Sequence, residues 1–527
     1  MLKKQYIVIM LLLVLAGSCK NKPAKSDDLG VVNFQVTGDE IAIPSFEKGL
    51  LLLHSFEYQD AREAFKKAQK LDPNMAMAYW GEAMTYNHSL WREQDYEDAK
   101  AVLEKLESRN LMSELNPIEQ DLLEAVRILY WPKTPKKERD KTYSLFMQKL
   151  HEKYPDQNEI AAFYALSLLG SVSEGRNDSI YGMGAEVAKK ILKNNEQHPG
   201  ALHYLIHSYD DPNHAHLALN AADSYSVVAP DASHALHMPS HIYVALGMWD
   251  KVVSSNIDSY QASLARMKIK DLDNDARGYH AYHWLQYGHL QRGELQKAEK
   301  MTWDMQKFCD EKASKRAKKH LLFLKGTFLA ETNKWDHAIA DIEIDVTGFN
   351  ISLKAQNYFI DGMKAFKNED FNAVKEIIGN LSEDIKRESL LVDNLSAGAS
   401  VCASSNRSMP NSIDIKRSQV MLQQLKGLKH ILEGNHQVAD ALLKASVELE
   451  NNVTYSYGPP AIIIPSSELY AKFLFQQKRY DEAITFYEKA LERGTNRTIP
   501  LRGIEKCKVA TKGEQLAKKA DLELQNI

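Results

Sequence analysis

The sequence predicts an all-α fold, a solenoid of stacked antiparallel helix pairs. Three features carry that reading. Small and apolar residues recur about 34 positions apart, as from Ala42 to Ala76, which is the period of a helix–turn–helix repeat. Within each segment the apolar residues follow helical spacing, and strand-like alternation is almost absent. Pro and Asp cluster between segments, as at Asp72-Pro73 and Ala229-Pro230-Asp231, where a helix has to stop.

Counted from Ala42, residues Gly49, Ala61, Phe65, Ala68 and Pro73 fall at positions 8, 20, 24, 27 and 32 of one repeat. That pattern resembles the tetratricopeptide repeat (TPR). Its small residues let paired helices approach, and Phe65 fills the groove between them. Further registers begin near Ala76, Pro199, Ser233, Tyr279, Lys319, Ala355, Val420 and Ile464, and residues 114–197 hold two looser pairs. Gly326 with Ala338, Gly362 with Val374, and Gly427 with Ala439 mark later pairs, about eleven in all. The resemblance implies a right-handed superhelix, a TPR-like α-solenoid. Positions 2, 5, 9, 12 and 13 of each first helix would then line its concave face.

The repeats divide the chain. Residues 42–345 are expected to form an N-terminal array, 346–393 further TPR-like helices, 394–413 a Ser- and Asn-rich loop, and 414–527 the last repeats with a terminal helix. Ahead of them, residues 1–19 read as a targeting segment: Lys3 and Lys4, then a short apolar core from Ile7 to Ala16. Ala16-Gly17-Ser18-Cys19 resembles a bacterial lipobox, although Ala replaces the commoner Leu at its start. The resemblance implies lipidation of Cys19, a membrane anchor and a place in the cell envelope, on the periplasmic side or the cell surface. An ordinary secretory signal is the alternative. Residues 20–41 are polar and read as a flexible tether.

Composition narrows the function classes. Hydrophobic residues make up 44% and charged residues 26%, which fits a folded body and not a disordered chain. A net charge of −4 with interleaved signs argues against nucleic acid, which needs a concentrated basic face. The basic run Lys315 to Lys319 reads as a solvated helix face. Cys309, Cys402 and Cys507 are scattered and suggest neither a disulfide framework nor a thiolate zinc site.

The histidines carry the functional reading. Eleven of 18 lie between His198 and His289, and their repeat positions match. His203 and His207 occupy positions 5 and 9; His237 and His241 occupy the same positions 34 residues later. His234 takes position 2 of that repeat, and His280 and His283 take positions 2 and 5 of the next. Residues four apart share a helix face, and neighbouring helices lie about 8–10 Å apart. His203, His207, His237 and His241 are therefore expected to converge as ligands of a divalent transition metal (Zn, Cu, Ni or Fe). Asp210 and Asp211 would complete or orient the set. His88, His234, His280 and His283, with Trp80 and Tyr287, are expected to line the groove for a protein, peptide or small ligand. The same histidines could instead hold helices in register, or descend from repeat duplication without a role.

Three sequence blocks, Ala78–His88, His198–His207 and His234–His241, resemble a family of bacterial exported TPR proteins over most of the chain after the targeting segment. That resemblance implies architecture and not mechanism. Nothing in the sequence demands catalysis. There is no Gly-rich phosphate loop and no nucleophile elbow, and His203-Tyr204-Leu205-Ile206-His207 lacks the glutamate of a zinc-protease helix. A binding scaffold therefore leads, with a metal-dependent hydrolase and a nutrient-binding lipoprotein as alternatives.

Overall fold

The computed structural model describes residues 28–396 and 410–525. Cys19, the targeting segment and most of the 394–413 loop lie outside them. The described chain is a TPR-like α-solenoid. Its helices follow one another in antiparallel pairs from Ile43–His54 with Tyr58–Leu71 to Ser466–Gln476 with Tyr480–Arg493, and Thr498–Gln525 ends the chain. The pairing sets in where the repeat pattern places it. Gly49 and Gly81 both face the Phe65 ring so closely that a side chain would strike it. The sole sheet among the described residues is a two-residue hairpin, Asn87–His88 against Glu93–Gln94. None of the described helices is long and apolar enough to cross a membrane.

Three details depart from expectation. Residues 28–41 are not a free tether. Leu29 and Phe34 are buried, the Val31 amide donates to the Gln197 carbonyl at 2.9 Å, and the Thr37 hydroxyl donates to Glu119 at 2.7 Å. The repeat marked by Gly326 and Ala338 lacks its second helix. A short 3-10 turn, Ala338–Asp341, stands there instead, because the following Ile-Glu-Ile-Asp-Val-Thr-Gly run is β-branched and ends in Gly348 at φ +75°. The changeover between the two hydrophobic cores also comes earlier than residue 345. One core runs from Leu29 to Val252 and takes in Trp284 and Tyr287; the other runs from Val253 to Cys507. They meet at the helices Trp249–Ile269 and Tyr279–Gln291.

The solenoid returns on itself at that junction. The Trp249 indole donates to the Asn496 carbonyl at 2.9 Å. Arg497 pairs with Glu468 at 2.7 Å and Glu331 at 3.0 Å and donates to the Tyr287 hydroxyl. The stiff segment Tyr455 to Pro460 thereby passes across the inner face of the first array. Gly458, at φ +92°, lies against the Trp284 ring, where a Cβ would sit 2.3 Å from it. Only glycine fits that approach.

Candidate metal centre

Two neighbouring repeats supply most of the cluster. His198 caps the helix Pro199–Ser208, its Nδ1 accepting from the Ala201 amide, and Pro199 occupies the first turn. His203 and His207 then share one face. In the next repeat Pro239 lacks the amide that a continuous helix needs, so the helix divides into Ser233–His237 and Pro239–Ala245. His237 and His241 nevertheless stay together, with ring centroids 5.1 Å apart. His280 comes from the first turn of Tyr279–Gln291, 4.6 Å from His237.

The six rings fall into two trios. One ring nitrogen from each of His203, His207 and His234 lies within 4.8 Å of the others, and the same holds for His237, His241 and His280. The trios touch through His207 and His241, 5.3 Å apart. Asp210 sits between them, one carboxylate oxygen accepting from His207 Nδ1 at 3.0 Å and from His241 Nδ1 at 3.2 Å. Its other oxygen accepts from Arg176 at 3.1 Å.

The hydrogen bonds fix which nitrogen is free. His203 Nδ1 lies 2.7 Å from the His54 carbonyl, an acceptor left open at a helix C-terminus. His237 Nδ1 lies 2.7 Å from Asn256 Oδ1. A carbonyl or carboxylate can only accept, so each of these Nδ1 atoms carries the proton and each Nε2 presents a lone pair. The Nε2 atoms of His203, His234, His237 and His241 are buried and have no hydrogen-bonding partner in the protein. Burial and the neighbouring rings hold the imidazoles of His203 and His234 well below their ordinary pKa, and bring His237 down to about 3. His241 is lowered too, less so because Asp210 opposes the burial. Burial raises the Asp210 carboxyl, but its two imidazole partners outweigh that and bring it to about 2. Neutral imidazoles, each with one nitrogen held by an outer acceptor, are the usual form of a histidine metal ligand.

Aromatic rings enclose the cluster. Phe56, in a left-handed conformation at φ 55°, packs 4.3 Å from His203. Trp284 stacks on His241 at 4.6 Å, and Tyr457 lies 4.6 Å from the same ring. A cavity of about 260 Å³ opens beside it, lined by His280, His283, Trp284, Lys319, Arg417 and Tyr457 among others. His280, exposed to that cavity, is the ring nearest an entrance.

The remaining expected residues are dispersed. Asp211 pairs with Arg176 and His214, outside both trios. His283 reaches the Thr327 hydroxyl at 2.9 Å and lines the cavity only. His88 packs tilted against Tyr58 at 4.3 Å, separated from the cluster by the Trp91 and Phe56 rings. Trp80 is core, edge-on to Phe163 at 5.2 Å. Tyr287 is turned to Arg497 and takes no part in the histidine cluster. Both aromatics follow the TPR packing of large rings between helices, not the groove lining expected of them. Asn256, Phe56, Arg176 and Tyr457 escaped the sequence reading. Only Asn256 left a trace, as a polar residue in the apolar stripe Val252, Val253, Asn256, Tyr260.

A second histidine group lies deeper. His54 Nε2 donates to Glu159 at 2.6 Å and His198 Nε2 donates to the other Glu159 oxygen at 3.1 Å. His54 Nδ1 lies 2.9 Å from the Tyr204 hydroxyl, and Gly200 leaves room for that ring. All three side chains are buried and every ring nitrogen is paired. This group ties three helices together.

The fold and its helix pairs define a tetratricopeptide-type α-solenoid. The tetratricopeptide repeat model matches residues 45–75 and 466–493, within the first and last full pairs. No functionally curated protein matches the chain. Among solved structures it is similar to yeast Tom70, at 13% identity over 91% of this chain and 92% of that one, with a TM-score of 0.31. It is also similar to Cut9 in the APC/C hetero-tetramer Cut9–Hcn1, at 14% identity, 90% and 78% coverage, and a TM-score of 0.35. A third is human IFIT1 in a dimer with m7Gppp-AAAA, at 11% identity, 88% and 98% coverage, and a TM-score of 0.35. Scores this low carry nothing about ligand or partner.

Proposed function

We propose that this chain is an envelope protein, anchored through a lipidated Cys19, whose TPR scaffold holds a transition metal in its histidine cluster. One observation carries the metal: four buried Nε2 atoms without a protein partner, three of them lone pairs on rings whose Nδ1 atoms are held in place. An unpaired buried polar atom costs about 1–3 kcal/mol, so four of them mark a site built for an occupant. A peptide groove fits less well, because the segment Tyr455 to Pro460 covers the inner face. A hydrolase lacks a free general base, since Asp210 and Asp211 are committed to Arg176 and to histidines. A small nutrient would have the 260 Å³ cavity as its place, and the scaffold's outer faces would serve a protein partner.

Elemental analysis of the purified full chain, reconstituted separately with Cu, Zn, Ni and Fe and then desalted, tests the metal. At least one ion per chain should remain, and His203→Ala/His237→Ala should lose it while keeping the helical circular dichroism. Metal-free protein after all four reconstitutions would overturn the reading. Cys19→Ser should move the protein from the membrane to the soluble fraction.

A further inference from the structure

The metal reading leaves open how many ions six imidazoles hold. A single tetrahedral site uses three or four ligands, which would strand the rest as buried orphans. The cluster instead divides in two, with His207 and His241 also meeting at Asp210 through their Nδ1 atoms. His203, His207 and His234 gather at one point, His237, His241 and His280 at another, and no trio needs a ring from the other. Asp210 serves both trios equally, holding one Nδ1 from each with the same oxygen. Such a shared outer support sets the two points side by side.

Charge then discriminates between metals. All six ligands are neutral. Among the described residues the carboxylate hydrogen-bonded to these rings, Asp210, is itself paired with Arg176, so little negative charge offsets that of the ions. Two divalent ions repel four times as strongly as two monovalent ions at the same separation, and a water-poor pocket screens them weakly. Among the metals that imidazole suits, copper is the one with an accessible monovalent state.

Resting on the metal reading above, we propose that the cluster is a two-ion centre: a pair of adjacent three-histidine sites that takes two Cu(I) ions. The His203 site is enclosed by Phe56. The His280 site opens on the cavity beside Tyr457, and a small molecule reaching the pair enters there.

Anaerobic titration of the full chain with Cu(I) against a chromophoric Cu(I) chelator reads the stoichiometry directly. The wild type should hold two Cu(I) per chain. His203→Ala and His280→Ala should each hold one, and the double variant none, all with unchanged circular dichroism. His280 lies at the exposed edge, so its replacement spares the core even if His203→Ala fails to fold. One Cu(I) in the wild type, lost in His203→Ala or His280→Ala, would overturn the pair and leave a single-metal protein. Zinc retained with no copper would also overturn it while sparing the metal reading. No metal of any kind would sink both.

Discussion

Two histidine groups lie within a few side chains of each other and are built on opposite rules. In the His54–Glu159–His198 group every polar atom has a partner, and the carboxylate is the hub. In the six-histidine cluster the carboxylate stands outside, and the Nε2 atoms of His203, His234, His237 and His241 have no partner in the protein. The first arrangement is stable by itself. The second is costly until something accepts the lone pairs. Residue type is the same in both, and His203, His207, His237 and His241 are buried like the closed group; the direction in which the protons point separates a structural knot from a candidate binding site.

The largest effect that would test this contrast falls on the closed group. Glu159→Ala strands two buried imidazoles and should lower stability by about 3–5 kcal/mol, the cost of breaking a buried pair, with metal stoichiometry unchanged in the protein that remains folded. Denaturant unfolding and elemental analysis measure both. Loss of metal at unchanged stability would reverse the roles assigned to the groups.

Acid should erode the same group. Burial lowers the His54 pKa in the fold, so below its ordinary 6.5 the unfolded chain takes up a proton that the folded one refuses, and stability falls. Burial raises Glu159, but its two imidazole neighbours outweigh that and hold it far below its ordinary 4.5. Its contribution is full above pH 4.5 and shrinks as the pH falls further. The gap in melting temperature between wild type and Glu159→Gln, taken on metal-free protein, should therefore narrow below pH 4.5. A gap constant from pH 3 to 7 would contradict the charge assignment.

On the open side the effects fall on affinity. Asp210→Asn removes the charge that holds His207 and His241, and should weaken metal binding about 10- to 100-fold, the usual range for an outer partner. Chelator competition reads it; an affinity within twofold of wild type would remove Asp210 from its supporting role. The smallest change is His237→Ala in metal-free protein. It deletes an orphan nitrogen along with some packing, so it should cost less stability than Glu159→Ala. The same variant should lose part of the metal-dependent rise in melting temperature that the wild type gains by mass action, since the His203 trio stays intact.

How far this was legible follows from the same geometry. The repeat pattern is local, so the succession of helix pairs and the shared faces of His203 with His207 and of His237 with His241 could be read from spacing. His234 and His280 also fell on the right face, although they join the trios directly and do not merely line a groove. Spacing says nothing of protons, so the closed group was missed: His54, Glu159 and His198 are far apart in sequence. Trp80 was misplaced because its ring packs between helices against Phe163, and Tyr287 because the repeat rule assumes an open groove that Arg497 and its neighbours return to fill. Tyr457 left no such signal: Gly458, Pro459 and Pro460 beside it mark a rigid turn and nothing of what it covers.

That turn has a consequence for the life of the molecule. Trp284 stacks on His241 and in turn abuts Gly458, so the roof over the chamber is made some two hundred residues after the rings beneath it. A chain emerging N-terminus first presents its imidazoles long before it can cover them. The order of synthesis thus sets an interval in which the rings face solvent on every side, and closing the roof leaves the cavity beside His280 as the way in.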